Sequence, residues 1–208
     1  MAGVARLEAG RKGQDILLEV LGSNGWHSRD WRLRLFGDGR DRIYLRALTE
    51  HYGLAQRVEF CGHLDDIRTV WKENHLLVLP SRGEGTPLAL VEAMLCGRPA
   101  VVTDVGGNTE WIEDGRTGFV AEAPTAKSFG AALERAWLAQ ADWQKMGIQR
   151  RKKALIKFDN SAGKTLLEIV LEAAHSSRPN LLTNLDVFFN QSLITRNTPS
   201  TIDSHQVR

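Results

Sequence analysis

Cysteine is scarce in this chain of 208 residues, where only Cys61 and Cys96 occur. Neither belongs to a CxxC or CxxH spacing, so the sequence indicates neither a disulfide framework nor a cysteine-based metal site. Long apolar runs are also missing, since no stretch approaches the roughly eighteen apolar residues of a membrane-spanning helix. The N-terminus, MAGVARLEAGRKGQ, lacks the apolar stretch of a signal peptide. We therefore expect a cytoplasmic protein without a transmembrane segment, and peripheral attachment at the inner face of a membrane stays open.

An excess of charge of one sign is missing as well. The 27 basic and 25 acidic residues leave a formal net charge of +2. So weak a field does not favour nucleic acid or an anionic membrane as a partner, and any bound anion must be held by local groups. The composition, 42% hydrophobic and 25% charged, is that of a globular protein that can bury a core.

Short β-type runs alternate with longer helical patterns in roughly the first half of the chain. The successive pairs are WRLRLF and DRIYLRALTEHYG, RVEFCG and DDIRTVWKE, HLLVLP and PLALVEAMLCG, and PAVVT and TEWIEDG. This alternation predicts an α/β fold with a Rossmann-like parallel sheet and helices on both faces. Pro87 is expected to be the first residue of its helix, and Gly53, Gly97 and Gly115 are expected to follow helix ends.

The second half of the chain predicts extra C-terminal helices from about Thr125 to His175. After Ser176 the sequence mixes Asn, Ser, Thr and Pro without a sustained period, which predicts a poorly ordered tail. We therefore divide the chain into a Rossmann-like domain, residues 1–175, and a tail, residues 176–208. The opening VARLEAGRKG reads as a strand end followed by basic residues, so we expect the chain to be a fragment of a larger protein.

Candidate ligand-binding residues follow the predicted strands. In an open parallel sheet, ligands bind at the carboxyl ends of the strands, where the loops converge. The loops with glycines or polar side chains at these positions are Arg6 to Lys12, Gly37 to Gly39, Gly62 and His63, Arg82 to Thr86, and Gly106 and Gly107.

The loop SRGEGTP is the most informative of these. Its glycines allow a close approach of backbone amides to a ligand, and the helix that follows offers its positive N-terminus to a phosphate. Arg6 and Lys12 could neutralise a diphosphate without a metal, and the sequence has no Asp-x-Asp pair to hold a divalent cation. Glu84 in the loop and Glu92 inside the helix could accept hydrogen bonds from the hydroxyls of a sugar and a ribose.

Each residue taken alone has a simpler interpretation. Glu92 could be a solvated helix acid, Glu84 a favourable charge near a helix start, and Arg6 and Lys12 surface cations. His63 could be a structural hydrogen-bonding residue. GDGRDR contains half of a dinucleotide-binding fingerprint, but an arginine replaces its third glycine, so that interpretation is weak.

The combined pattern resembles a known family. PSRGEGTPLALVEAMLCGRPAVVTDVGGNTEWIEDGRTGFV is similar to the donor-binding domain of glycosyltransferase family 4, the group 1 retaining transferases of GT-B architecture. Its Glu-x7-Glu signature matches Glu84 and Glu92. RLEAGRKG, LFGDG and VEFCGHL match in the same order, and the resemblance covers about residues 1 to 175.

The resemblance implies a C-terminal GT-B half that binds a UDP-, GDP- or ADP-sugar, with no metal or other cofactor. A sugar or lipid-linked acceptor would bind to an N-terminal domain that has no counterpart in this sequence. By this resemblance, the catalytic residues would be Arg6 and Lys12 on the diphosphate, with either Arg11 or Lys12 as the second cation, and Glu84 on the transferred sugar. Those that bind the donor would be Gly37, Gly39, Cys61, Gly62, His63, Leu64, Gly83, Gly85, Thr86, Pro87, Leu88 and Glu92.

Two other functions are open at this stage. A non-catalytic nucleotide-sugar-binding module or pseudoenzyme would keep the donor pocket without chemistry. A sugar-nucleotide epimerase of similar fold is the other alternative, although the Glu-x7-Glu context favours transfer of the sugar.

Overall fold

The computed structural model describes residues 1–64, 66–157, 164 and 167–171. The chain divides into two compact units, Met1–Phe158 and Asp159–Arg208. In the second unit, the described residues 164 and 167–171 are helical. The predicted domain boundary near residue 175 and the predicted tail, residues 176–208, lie outside the described residues.

The first unit is built on a parallel sheet, which confirms the predicted α/β class. Six strands are present in the described residues, in the order β3-β2-β1-β4-β5-β6, and every neighbouring pair is parallel. The strands are β1 Ala2–Val4, β2 Leu33–Phe36, β3 Val58–Gly62, β4 Leu77–Leu79, β5 Ala100–Thr103 and β6 Phe119–Ala121.

Helices connect these strands and cover both faces of the sheet. They are α1 Ala9–Lys12, α2 Gln14–Leu21, α3 Asn24–His27, α4 Arg42–His51, α5 Ile67–Glu73, α6 Leu88–Leu95, α7 Ala126–Leu138 and α8 Trp143–Lys157. Within the described residues, no helix combines the length and the apolarity that crossing a bilayer requires.

The core consists of two apolar layers, one on each face of the sheet. Val78 and Val101 belong to the layer that includes α2 and α7, while Leu77 and Val102 belong to the layer that includes α6. Successive strand residues point to opposite faces, and both faces are covered here. This explains why the runs that become β4 and β5 are apolar throughout instead of alternating.

The structure corrects the predicted start of α6. The helix begins at Leu88, and Pro87 is its N-cap, because a ψ of 86° takes Pro87 out of the helical region. Proline therefore precedes the first helical residue instead of being that residue. The correction is one position, and it leaves the amides of Leu88 and Ala89 in the first turn of the helix.

The predicted helix in TEWIEDG is wrong. Residues 109–115 form turns, apart from an isolated bridge at Asp114. The side chain of Thr117 accepts a hydrogen bond from the Glu113 amide, and the Thr117 amide donates to the Glu113 carbonyl. The Glu113 amide is thus bound by a side chain, whereas in a continuous helix it would donate to the carbonyl of Thr109. Conversely, sequence analysis missed α2, whose pattern QDILLEVL is followed by Gly22.

Candidate functional site

The strand order reverses between β1 and β4. These strands are neighbours although two strands separate them in the sequence, so the loop after β1 and the loop after β4 leave the sheet side by side. The Arg82 amide donates a hydrogen bond of 2.8 Å to the Arg11 carbonyl, which ties the two loops together. Gly13 permits this approach, because a Cβ there would lie 1.9 Å from the Pro80 carbonyl oxygen. Such a reversal is where ligands bind in folds of this kind.

Lys12 and Glu84 meet at this reversal. The Lys12 Nζ donates hydrogen bonds of 2.8 Å to both Oε1 and Oε2 of Glu84. The two side chains are only 18% and 6% exposed. The Ser81 hydroxyl donates a further hydrogen bond of 2.6 Å to Glu84 Oε1. The carboxylate is thus held by groups from both loops, and its position is defined before any ligand arrives.

The loop after β1, which carries Arg6, is fixed through its backbone. The buried Gln14 side chain donates from Nε2 to the Arg6 carbonyl at 2.8 Å. The Ala9 amide at the start of α1 donates to the Asp41 carboxylate at 2.8 Å, and Arg82 donates to the Ala9 carbonyl at 2.7 Å. The Arg6 side chain itself is 72% exposed and lies 3.5 Å from Glu8. Its backbone is anchored while its guanidinium can reorient towards a ligand.

The loop after β5 supports the Glu84 loop from behind. The Gly107 amide donates to the Gly85 carbonyl at 3.2 Å. Gly106, with φ of 53°, comes so close that a Cβ there would lie 1.9 Å from the Glu84 carbonyl oxygen. The buried Thr103 hydroxyl donates to the Ser81 carbonyl. A side chain at position 106 would therefore displace the backbone that carries Glu84.

Two cavities open on either side of the loop after β1, and they share Val4, Ala5 and Arg6. The first, of about 320 Å³, is lined also by Lys12 and Glu84. The second, of about 660 Å³, is lined also by Glu92. Together they can accommodate an elongated ligand whose anionic centre lies near Arg6 and Lys12. Cavities of about 690 and 800 Å³ lie elsewhere and are lined by none of the predicted site residues, so size alone does not identify the site.

The other predicted site residues divide into two groups. Those that also line a cavity are Thr86, Pro87 and Leu88 in the smaller one and Gly37, His63 and Leu64 in the larger one. The remaining predicted residues line neither cavity: Gly39, Gly83 and Gly85 lie in the loops after β2 and β4, and Cys61 and Gly62 are the last two residues of β3.

The glycines of the loop after β2 have a packing reason. A Cβ at Gly37 would lie 2.2 Å from the Ala5 carbonyl oxygen, and one at Gly39 would lie 2.4 Å from that of Leu7. Both glycines thus allow this loop to lie against the loop after β1, which carries Arg6. Their effect on a ligand is indirect, through the position of that backbone.

The carboxylate of Glu92 differs from that of Glu84. Burial raises the pKa of Glu92 above its ordinary value of 4.5. Among the residues that the structure describes, no group donates a hydrogen bond to this carboxylate and no cation pairs with it. It projects from the second turn of α6 into the larger cavity. Hydroxyl donors of a ligand would satisfy it.

The N-terminus of α6 faces the smaller cavity. Pro87 makes no side-chain cap to the first turn, so the amides of Leu88 and Ala89 have no partner within the helix. Pro87, Leu88 and Ala89 all line the cavity next to Lys12. Amides at a helix N-terminus favour an anion. They add to the positive charge of Arg6, whereas the charge of Lys12 is paired with Glu84.

Sequence analysis missed the residues that hold the site in place. Ser81 stands in the quoted loop, but no role was inferred for it, and Gln14 and Thr103 were not singled out. In the sequence, the available signal was that these polar residues stand close to glycine-containing loops. The structure shows that their side chains are buried. Within the described part of the chain, no group of three or more His, Cys, Asp or Glu side chains could hold a metal ion.

The fold is a doubly wound parallel sheet with a cluster of loops at the reversal of strand order, and the family follows from comparison with known proteins. The family model for glycosyl transferases group 1 matches residues 2–138. The chain belongs to this family.

Curated relatives are similar over about half of the chain. One is an exopolysaccharide phosphotransferase of Streptomyces coelicolor, 39% identical over 107 residues, which are 50% of this chain and 11% of that protein. Another is an alpha-D-kanosaminyltransferase of Streptomyces kanamyceticus, 33% identical over 129 residues, 61% of this chain and 33% of that protein. The chain thus spans a third or less of the length of these relatives.

Solved structures agree on the fold. The Anabaena protein HepE in complex with UDP superposes with a TM-score of 0.71 at 25% identity, covering 83% of this chain and 48% of that one. The C-terminal domain of a glycosyl transferase group 1 family protein of Francisella tularensis has a TM-score of 0.66 at 20% identity, covering 76% of this chain and 86% of that one.

Proposed function

We propose that this chain is the donor-binding part of a retaining, metal-independent hexosyltransferase that moves a sugar from a nucleotide diphosphate sugar to an acceptor hydroxyl. The observation that supports it best is the convergence of Lys12, Glu84 and Glu92 on two adjoining cavities at the reversal of strand order. These residues come from separate stretches of sequence, and Glu84, Lys12 and Glu92 match the sugar, the diphosphate and the ribose, which follow one another in that order along the ligand.

The proposed roles follow from the chemistry of the reaction. Breaking the bond between sugar and diphosphate leaves negative charge on the diphosphate. Arg6, Lys12 and the first amides of α6 would stabilise this charge as it develops, which is electrostatic catalysis by groups already in place. Local cations of this kind can neutralise the charge on a diphosphate, as a metal ion does in other sites. Glu84 orients the sugar and does not act as a nucleophile.

The rest of the ligand would lie in the larger cavity. Glu92 would accept hydrogen bonds from the ribose hydroxyls, and the backbone near His63 and Leu64 would contact the base. The sugar or lipid-linked acceptor would bind to a further domain, since the chain spans only part of the length of its relatives. A cytoplasmic location is part of this proposal.

Calorimetric titration of UDP, GDP and ADP tests the proposal. We expect one of the three to bind the unaltered chain, and Lys12→Ala to weaken that binding by about tenfold or more because a half-buried cation next to the diphosphate is lost. Lys145→Ala is the matched control, since Lys145 is exposed on α8. Absence of binding by all three nucleotides, or equal binding by the Lys12 and Lys145 variants, would refute the assignment.

A further inference from the structure

The contact between Lys12 and Glu84 joins two groups to which the proposed function gives different parts of the donor. The ammonium lies 2.8 Å from both carboxylate oxygens, and the side chains are 18% and 6% exposed. Attraction between charges is stronger in such a place than at the open surface. An anion that approaches Lys12 therefore meets a neutralised pair and not a free cation.

We propose that Glu84 is an internal counter-ion that competes with the diphosphate for Lys12, so that the site favours a nucleotide sugar over the sugarless nucleoside diphosphate. This inference rests on the proposed function and deepens it. The competition makes the site bind the nucleotide sugar more tightly than the nucleoside diphosphate. Neither Lys12 nor Glu84 alone would give this preference.

The competition follows from the partners of the Glu84 carboxylate. If Lys12 turns to the diphosphate, the hydrogen bond from Ser81 at 2.6 Å remains as the contact to this 6% exposed side chain. A buried carboxylate with too few donors is costly. Hydroxyls of the transferred sugar can donate to Glu84 and remove that cost. A nucleoside diphosphate places no hydroxyl there, so it binds at the expense of an unsatisfied acid.

The surroundings prevent Glu84 from escaping this cost by moving into solvent. Its backbone is packed against Gly106, where a Cβ would lie 1.9 Å from the Glu84 carbonyl oxygen. Ser81 is fully buried and its own carbonyl accepts a hydrogen bond from Thr103. The loop is therefore anchored on both sides of the carboxylate. Lys12 is the more mobile partner, because its ammonium group is carried on a flexible stem of four carbons.

The decisive experiment is to titrate Glu84→Gln with the nucleoside diphosphate that binds the unaltered chain. The substitution keeps the shape of the side chain and an oxygen for Ser81, but it removes the charge that neutralises Lys12. We expect the dissociation constant for the nucleoside diphosphate to fall by about tenfold. The control is Glu113→Gln, which removes the same charge from a 43% exposed side chain that pairs with Lys153 at 2.6 Å and lines neither site cavity. That variant should bind within about twofold of the unaltered chain.

A second variant predicts a change of the opposite sign. Ser81→Ala removes the remaining donor to Glu84 in the nucleotide complex, so the nucleoside diphosphate should bind at least about threefold more weakly. The same substitution made together with Glu84→Gln should have a smaller effect, because a neutral amide costs less when it lacks a donor. Circular dichroism melting of each variant checks that the fold is retained.

The outcomes separate this inference from the proposed function. If UDP, GDP and ADP all fail to bind the unaltered chain, the proposed function fails and the inference fails with it. If one of them binds but Glu84→Gln binds it equally or more weakly, only the inference is overturned. Equal tightening by Glu113→Gln would also overturn it, because the effect would then be a general loss of negative charge.

Discussion

At the scale of single residues, the two acids of the Glu-x7-Glu pattern have different environments. Glu84 is held by a lysine and a serine, whereas Glu92 has no donor or cation among the described residues and is half-buried. Burial without compensation raises the pKa of Glu92, since its ionised form has lost water and gained nothing in return. A buried carboxylate of this kind lowers the free energy of unfolding of the chain, and its oxygens stay available to accept hydrogen bonds from a ligand.

Glu92→Gln should therefore stabilise the free chain while weakening nucleotide binding. The raised pKa means that folding disfavours the ionised carboxylate, so the gain is absent at pH values well below 4.5, where Glu92 is protonated in both states. It grows as the pH rises above 4.5 and is complete above the pKa of the folded state. Urea unfolding at pH 3.5 and pH 7 measures the difference. A larger gain at the lower pH would contradict the assigned cause.

Glu122→Gln is the control for that prediction, because Glu122 is exposed and lies at the end of β6, outside both site cavities. It should change neither the pH dependence of unfolding nor the affinity for nucleotide. If it behaves like Glu92→Gln, the effect belongs to net charge and not to the burial of one carboxylate.

At the scale of elements, the contact between α6 and α8 depends on a glycine. A Cβ at Gly147 would lie 1.9 Å from the carbonyl oxygen of Gly97, which follows the end of α6. Gly130 in α7 is also helical, but its Cβ would meet Val20 at an ordinary 3.5 Å. Replacing glycine by alanine in each of these two helices therefore tests whether packing or helix propensity determines the change in the free energy of unfolding.

We expect Gly147→Ala to lower the free energy of unfolding by about 2 kcal/mol, because backbone must move to admit the methyl group. Gly130→Ala should raise it by about 0.5 kcal/mol, since alanine loses less entropy in a helix than glycine. Urea unfolding followed by circular dichroism gives both values. Equal stability of the two variants would show that α8 can shift away from α6 without cost.

The same helices show where sequence patterns were sufficient. The pattern for α7 was read correctly because its buried apolar residues recur with helical period over 13 residues. The prediction of α8 is also confirmed, although Ile148, Leu155 and Ile156 in this helix are exposed. TEWIEDG failed because it is short, and contacts of Thr117 with Glu113 decided its conformation. Pro87 was misplaced by one residue because the helix boundary depends on a backbone angle that composition does not fix.

At the scale of the whole molecule, the net charge of +2 gives little long-range attraction for an anionic ligand, so binding of the proposed donor would depend on the local groups around Lys12. On the proposed function, the acceptor would approach from the open side of the two cavities. Binding of the donor would then be separable from transfer of the sugar.

Because the proposed acceptor site lies in a further domain, we expect the 208-residue chain to bind donor without transferring sugar to an added acceptor. In a longer protein that contains this chain, transfer should occur, and Lys12→Ala or Glu84→Ala should slow it on the order of a hundredfold. Radiolabelled donor with separation of products measures both. Acceptor-dependent product from the chain alone, or undiminished transfer by both variants, would contradict this expectation. An epimerised donor would support the alternative enzyme class.

The sequence by itself determined the fold class and the order of the motifs, because buried strands and amphipathic helices impose periods that are visible without coordinates. It also identified Lys12, Glu84 and Glu92 as chemically suited to a nucleotide sugar. Only the tertiary structure decided that Lys12 and Glu84 pair with each other, while Glu92 has no such partner in the part of the chain that the structure describes. It also revealed that Ser81, Gln14 and Thr103 hold the loops of the site in place through hydrogen bonds. The reason is that hydrogen bonds between residues far apart in the chain depend on how the loops approach one another at the reversal of strand order. Local sequence does not determine that approach.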